Sequence, residues 1–146
     1  MPVVREGRGG VSKRIRLSIP MNPVPKGRPR VAIRNGKVRT YTPERTQEAQ
    51  DTLIALIYKH RDKMFLPYVP VRLSITFYRQ RSKWSPKSDI LPVRKPDLDN
   101  LLKLVLDSMS GILIADDAQI TNIHMAKRWS KNGHGYISIM LEEDNG

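Results

Sequence analysis

The most constraining stretch of this 146-residue chain lies between Pro96 and Gly111. Leu98, Leu101, Leu102, Val105, Leu106 and Met109 recur at i, i+3, i+4, i+7, i+8 and i+11, the apolar stripe of an amphipathic helix. Pro96 fits only at the very start of such a helix, because proline lacks the N–H and its ring clashes further in. Gly111, just past Met109, suits the C-terminal cap. Asp97 therefore falls at or near the N-cap and Asp99 in the first turn. Two residues apart inside a helix point about 200° apart, too divergent for two carboxylates to share one ion. With Asp97 still extended, both can converge in front of the helix N-terminus, whose partial positive charge keeps them ionised. Lys103, at i+4 from Asp99, shares its face.

These acids are out of keeping with the composition. Lys and Arg number 26 against 14 Asp and Glu, a formal net charge of +12. Yet Asp97, Asp99, Asp107, Asp116 and Asp117 fall within one stretch of the chain, and neighbouring carboxylates repel unless a cation neutralises them. One account is structural: Asp97 caps the helix, and Asp99 with Lys103 forms a surface pair that contributes a few tenths of a kcal/mol. It leaves Asp116 and Asp117 unexplained. They follow the apolar run Ile112-Leu113-Ile114-Ala115, which sets them at the mouth of the core. A hard divalent cation such as Mg²⁺ takes oxygen ligands and keeps several waters, so two or three carboxylates suffice.

The run Lys95-Pro96-Asp97-Leu98-Asp99-Asn100-Leu101-Leu102-Lys103, followed by Ile114-Ala115-Asp116-Asp117-Ala118-Gln119-Ile120, resembles the signature of the RusA family of Holliday-junction resolvases. Pro25-Lys26-Gly27-Arg28-Pro29-Arg30 resembles a segment that many members carry near the N-terminus. The resemblance extends from about Ile15 to Leu141. It implies a RusA-like fold and a dimeric, Mg²⁺-dependent endonuclease that cuts four-way DNA junctions. By motif position Asp97, Asp99 and Asp117 match the family's catalytic carboxylates, and Lys103 its catalytic lysine. The expected metal ligands are Asp97, Asp99 and Asp117, with Asp116 either supporting or replacing the last, and Mn²⁺ is expected to substitute for Mg²⁺. Lys103 would stabilise the phosphate or the leaving oxygen. No Gly-x-x-x-x-Gly-Lys loop is present, so nothing suggests a nucleotide cofactor.

The remaining chain reads as a basic tail over residues 1–13 and one endonuclease domain over 14–142, a length suited to a modest core. No run approaches the 18 or so apolar residues of a membrane span, and no cysteine is present. A cytoplasmic setting without membrane is the expectation. Ile15, Leu17 and Ile19 alternate with Arg14, Arg16 and Ser18 as a half-buried strand. Asn35-Gly36 is a strong hairpin signal, pairing Ile33 with Val38 and Val31 with Thr40. Its other face carries Arg30, Ala32, Arg34, Lys37 and Arg39. A ribbon apolar beneath and basic above can lie along a phosphate backbone, although a solvated face is the commoner fate of a charge run. The first 41 residues hold 11 Lys or Arg and only Glu6 on the acidic side, which favours nucleic acid.

Thr42 and Pro43 read as N-cap and first residue of a helix, with Ala49, Leu53, Leu56 and Ile57 as its buried stripe and its end near Lys63. Val71, Leu73, Ile75 and Phe77 alternate as a second strand. A long loop over about residues 79–96 leads straight into Asp97. With Lys26, Arg28 and Arg30, the loop residues Arg81, Lys83, Lys87, Arg94 and Lys95 complete the expected DNA-binding set. Trp84 could stack on an unpaired base or anchor the loop to its own core. Residues 118–129 and 135–141 read as strands joined around Asn132-Gly133. The class is α+β, a mixed sheet with two helices on one face, which leaves the other face to solvent, DNA or a second subunit. Two competing readings stand beside the resolvase. A non-catalytic DNA- or RNA-binding protein explains the charge but not the acidic motifs. A metal-dependent nuclease acting on flaps, single strands or RNA explains both.

Overall fold

The computed structural model describes residues 13–27, 30–41 and 43–146. In chain order these form β1 (Arg14–Ile19), β2 (Arg30–Arg34), β3 (Lys37–Tyr41), α1 (Glu44–Tyr58), β4 (Val71–Arg79), α2 (Leu98–Met109), β5 (Ile120–Trp129) and β6 (Tyr136–Glu143). Short 3₁₀ turns occupy Arg61–Lys63 and Asp117–Gln119. Nearly all of the tail, Arg28, and the expected cap Thr42 lie outside the described residues, as does the side chain of Arg30.

Alternation builds the sheet. Ile15, Leu17 and Ile19 of β1, Val71, Leu73, Ile75 and Phe77 of β4, and Ile137, Ile139 and Leu141 of β6 are all buried on one face. The strand order is β1-β6-β4-β5, with β4 and β5 parallel and the other pairs antiparallel. Parallel neighbours cannot be joined by a tight turn, so the chain leaves β4 through the long loop, returns along α2 and re-enters as β5. This crossover sets both acidic motifs at the ends of α2.

Helix α2 starts and stops as the sequence implies. Asp97 is its extended N-cap residue (φ −75°, ψ 152°), and Gly111 takes φ +84° two residues after Met109. Leu101, Leu102, Val105 and Met109 are buried, and Leu98 and Leu106 partly so. Leu104 and Ser108 are buried as well, beyond the single stripe, because α2 packs against α1 and also approaches β5. Truncating one of the fully buried leucines to Ala should cost roughly 2–5 kcal/mol. Helix α1 contributes Ala49, Leu53 and Ile57 to the same core. It begins one residue later than expected, with Pro43 at the N-cap, and ends at Tyr58 rather than near Lys63, where the 3₁₀ turn takes over.

The chain is thus one compact α+β domain, with a mixed sheet and two helices on one face. The open face is mixed: Arg16, Ser18, Ser74, Thr76 and Ser138 line a shallow hollow together with Met140. Arg14 and Arg72 both pair with Glu142, and Arg72 also reaches Asp144. The hairpin departs from expectation in one respect. Its register is as read, with Ile33 opposite Val38 and Val31 opposite Thr40. However, β2 and β3 form a separate two-stranded sheet. Val31, Ile33 and Val38 are 63%, 73% and 69% exposed, so among the described residues nothing covers the apolar side. Alternation reveals two faces of a ribbon but not whether the chain folds back over either.

Candidate active site

The site is built along α2. Asp97, although at the N-cap, accepts no capping bond; its carboxylate takes one from Lys95 Nζ at 2.7 Å instead. Lys127 of β5 donates to the carbonyls of Arg94 and Pro96, both at 2.9 Å, and so clamps the end of the basic loop just before Asp97. Burial and the charge of Arg79 lower the pKa of Lys127, and Asp97 opposes them. Asp99 and Lys103 are exposed, and the ion pair possible between them is not formed.

At the other end of α2, the buried Gln119 organises the second motif. Its Oε1 accepts from the backbone N–H groups of Ala115 (2.6 Å) and Asp116 (3.2 Å). Its Nε2 donates to the carbonyls of Leu66 (2.9 Å) and Val69 (2.8 Å). Asp116 caps the 3₁₀ turn by accepting from Ala118 N–H at 3.3 Å. Asp116 and Asp117 also share a hydrogen bond. It holds Asp116 below the usual carboxylate range and pushes Asp117 above it, with burial and the charges of Asp116 and Asp107 adding to the rise and Lys103 opposing it. The second motif is therefore electrostatically coupled to Lys103 and Asp107.

Asp97 and Asp117 do not meet within one chain. Asp97 lies beside Lys127 and Asp117 just before Ile120, so the two flank opposite ends of a twelve-residue helix about 18 Å long. Among the described residues, no three His, Asp or Glu side chains stand close enough to hold a metal ion. The donor set itself suits a hard cation: the carboxylates offer oxygen ligands, Asp99 makes no ion pair among the described residues, and the adjacent Asp116 and Asp117 raise the cost of ionising both, which a divalent ion would offset.

The basic residues divide by what holds them. Lys26 donates its backbone N–H to Asn100 O (3.1 Å) and pairs through Nζ with Asp107, tying the N-terminal segment to α2. Arg94 pairs with Asp89 at 2.8 Å. Arg81 donates to the carbonyls of Pro86 and Asp89 and stacks over Trp129 at 4.4 Å, so it braces the loop from within. Arg34, Lys37 and Arg39 on the hairpin and Lys87 on the loop are exposed. Trp84 is 82% exposed with Lys83 over its ring, so it does not anchor the loop to the core; Trp129 does that, donating Nε1–H to Asp89 O at 2.9 Å.

The sequence alone points to no role for Lys127 or Arg45. It counts Asp107 only among the clustered acids, Gln119 only within the second motif, and Arg79 as the first of the basic loop residues that could bring a phosphate towards the metal, whereas Arg79 is the last residue of β4. Asp107 carried a signal, since it falls at i+4 from Lys103. Lys127 carried none, because its position depends on the pairing of β5 with β4.

In this domain Asp-Leu-Asp-Asn-x-x-Lys opens the crossover helix and Asp-Asp-x-Gln follows its end. The family model for endodeoxyribonuclease RusA matches residues 20–140, and the chain belongs to that family. It is also similar to the protein named "Uncharacterized protein YqaN" of Bacillus subtilis (strain 168), 26% identical over 138 residues that cover 88% of this chain and 96% of the relative.

Proposed function

We propose that this protein is a divalent-metal-dependent endodeoxyribonuclease that resolves four-way DNA junctions as a homodimer in the cytoplasm. The observation that carries the reading is the start of α2, where Asp97 is free of capping duty and held only by the exposed Lys95, and Asp99 and Lys103 stand exposed and unpaired in a strongly basic chain. Surface carboxylates not committed to the fold are what a hard cation needs. Asp97, Asp99 and Asp117 would hold Mg²⁺ or Mn²⁺. Asp116, committed to the 3₁₀ turn, would support Asp117 from behind. When bound, the metal would lower the pKa of a water and offset charge on the phosphoryl oxygens. Lys103, between the two acidic ends, would stabilise the departing oxygen. Lys127 keeps the loop end fixed and Asp107 holds Lys26, so both act by positioning.

The separation of Asp97 from Asp117 supports the dimer, since a second copy can supply the acid that one chain holds at the far end of α2. The uncovered apolar side of the hairpin offers a surface for such pairing, and paired cuts in a junction call for two symmetric sites. The test is cleavage of a four-way junction beside matched linear, flap and single-stranded DNA, each with Mg²⁺ and with EDTA. Junction cutting confined to the metal-containing reactions is expected. Equal cutting of all substrates would make the protein a general nuclease, and vigorous cutting in EDTA would remove the metal role of the acids.

A further inference from the structure

Arg79, the last residue of β4, is one of two arginines in the described fold with a buried nitrogen left unpartnered; the other, Arg72, still pairs with Glu142 and Asp144. The Nη1 of Arg79 is buried and has no hydrogen-bond partner among the described residues. A buried unpaired donor normally has a ligand or water to answer it. The Nη1 atom itself is enclosed, but Arg79 is among the residues lining a groove of about 720 Å³ whose walls also include Gly27, Arg45, Thr46, Lys95 and Asn100. The Gly27 N–H donates to Thr46 Oγ1 at 3.0 Å, and a Cβ on Gly27 would come within 2.5 Å of that oxygen, so the wall is closed by backbone pressed against α1. No carboxylate among the described residues lies within ion-pairing distance of Arg45 or Arg79, and Asp97 is engaged by Lys95. Burial and the nearby Arg45 both lower the pKa of Arg79, as expected where cations converge without a counter-ion. The groove shares Lys95, Pro96 and Asn100 with the start of α2, so it opens beside Asp97.

We propose that this groove binds one backbone phosphate of the DNA strand being cut, received by the guanidinium groups of Arg79 and Arg45 with Lys95 at the rim. The proposal rests on the reading of the protein as a DNA endonuclease. It adds an anchoring phosphate, distinct from the scissile one, that sets how far the strand runs before it reaches Asp97. A phosphate meets the requirement that a water does not, because it neutralises charge as well as accepting hydrogen bonds.

The test is a methylphosphonate scan. Single phosphates flanking the cleavage position of a four-way junction are replaced by neutral methylphosphonates, and binding is measured in EDTA for wild type, Arg79→Gln and Arg45→Gln. One position is expected at which neutralisation weakens wild-type binding roughly tenfold, the scale of a single charge-assisted contact. Both variants should show that loss on unmodified DNA and lose nothing further at that position. Additive losses at every position, or wild-type affinity in both variants, would overturn the proposal. If Arg79→Gln fails to fold by circular dichroism, Arg45→Gln, on the exposed first turn of α1, decides by the same criterion. The outcomes separate from the functional reading: a shared position without any metal-dependent cleavage keeps the phosphate site and removes the nuclease, whereas additive losses with intact cleavage do the reverse.

Discussion

At the scale of the residue, charge and satisfaction sort the acids. Pro96 forbids the helix interior and so leaves Asp97 extended, which was legible from sequence; its lack of a capping bond was not, because the competing donor, Lys95, is two residues away. Gln119 could be quoted as part of a motif, yet its work is long-range: two donated bonds cross to Leu66 and Val69, some fifty residues away. Replacing it with Leu strands two carbonyls and two N–H groups, although water can reach some of them. Gln119→Leu should lose roughly 1–3 kcal/mol of stability. Urea unfolding should read this as a lower midpoint at an unchanged slope, and a midpoint equal to wild type would mean that the turn holds without it.

At the scale of the element, β1, β4 and α2 were readable because each is half buried against one partner surface, and a period of 2 or 3.6 reports that directly. The 3₁₀ turn after α1 and the burial of Leu104 were not, since both arise from a neighbour rather than from the element's own pattern. The hairpin is the clearest case. Asn35-Gly36 and the alternation of Val31 and Ile33 with Ala32 and Arg34 specify its turn and register, but not that it stands apart from the domain. Its independence yields a clean prediction. Arg34, Lys37 and Arg39 changed together to Ala should leave thermal stability unaltered and weaken DNA binding. The slope of log affinity against log salt should fall by about 0.9 for each lost contact to duplex phosphate. An unchanged slope would assign the three charges to solvent.

At the scale of the molecule, the crossover from β4 through α2 to β5 brings both motifs to one helix but to its opposite ends. No helix among the described residues is long and apolar enough to cross a membrane. If two copies complete each site, Asp97→Asn and Asp117→Asn proteins, each inactive alone, should regain nicking when mixed and refolded together, because one site of the mixed dimer keeps both acids. Sedimentation should show a dimer across the active concentration range. A monomer there, or no recovery on mixing, would require each chain to assemble its own site.

The most direct measurement concerns the carboxylates themselves. Asp97→Asn, Asp99→Asn and Asp117→Asn should each reduce Mg²⁺-supported junction cleavage by orders of magnitude. Asn keeps the shape but is a poorer ligand for a hard cation. Junction binding in EDTA should be equal or tighter, because a negative charge facing phosphates has been removed. Lys103→Ala should lose cleavage too, with affinity level or weaker. Wild-type rates in all three Asn variants would contradict the account and leave the acids as surface charges on a DNA-binding protein.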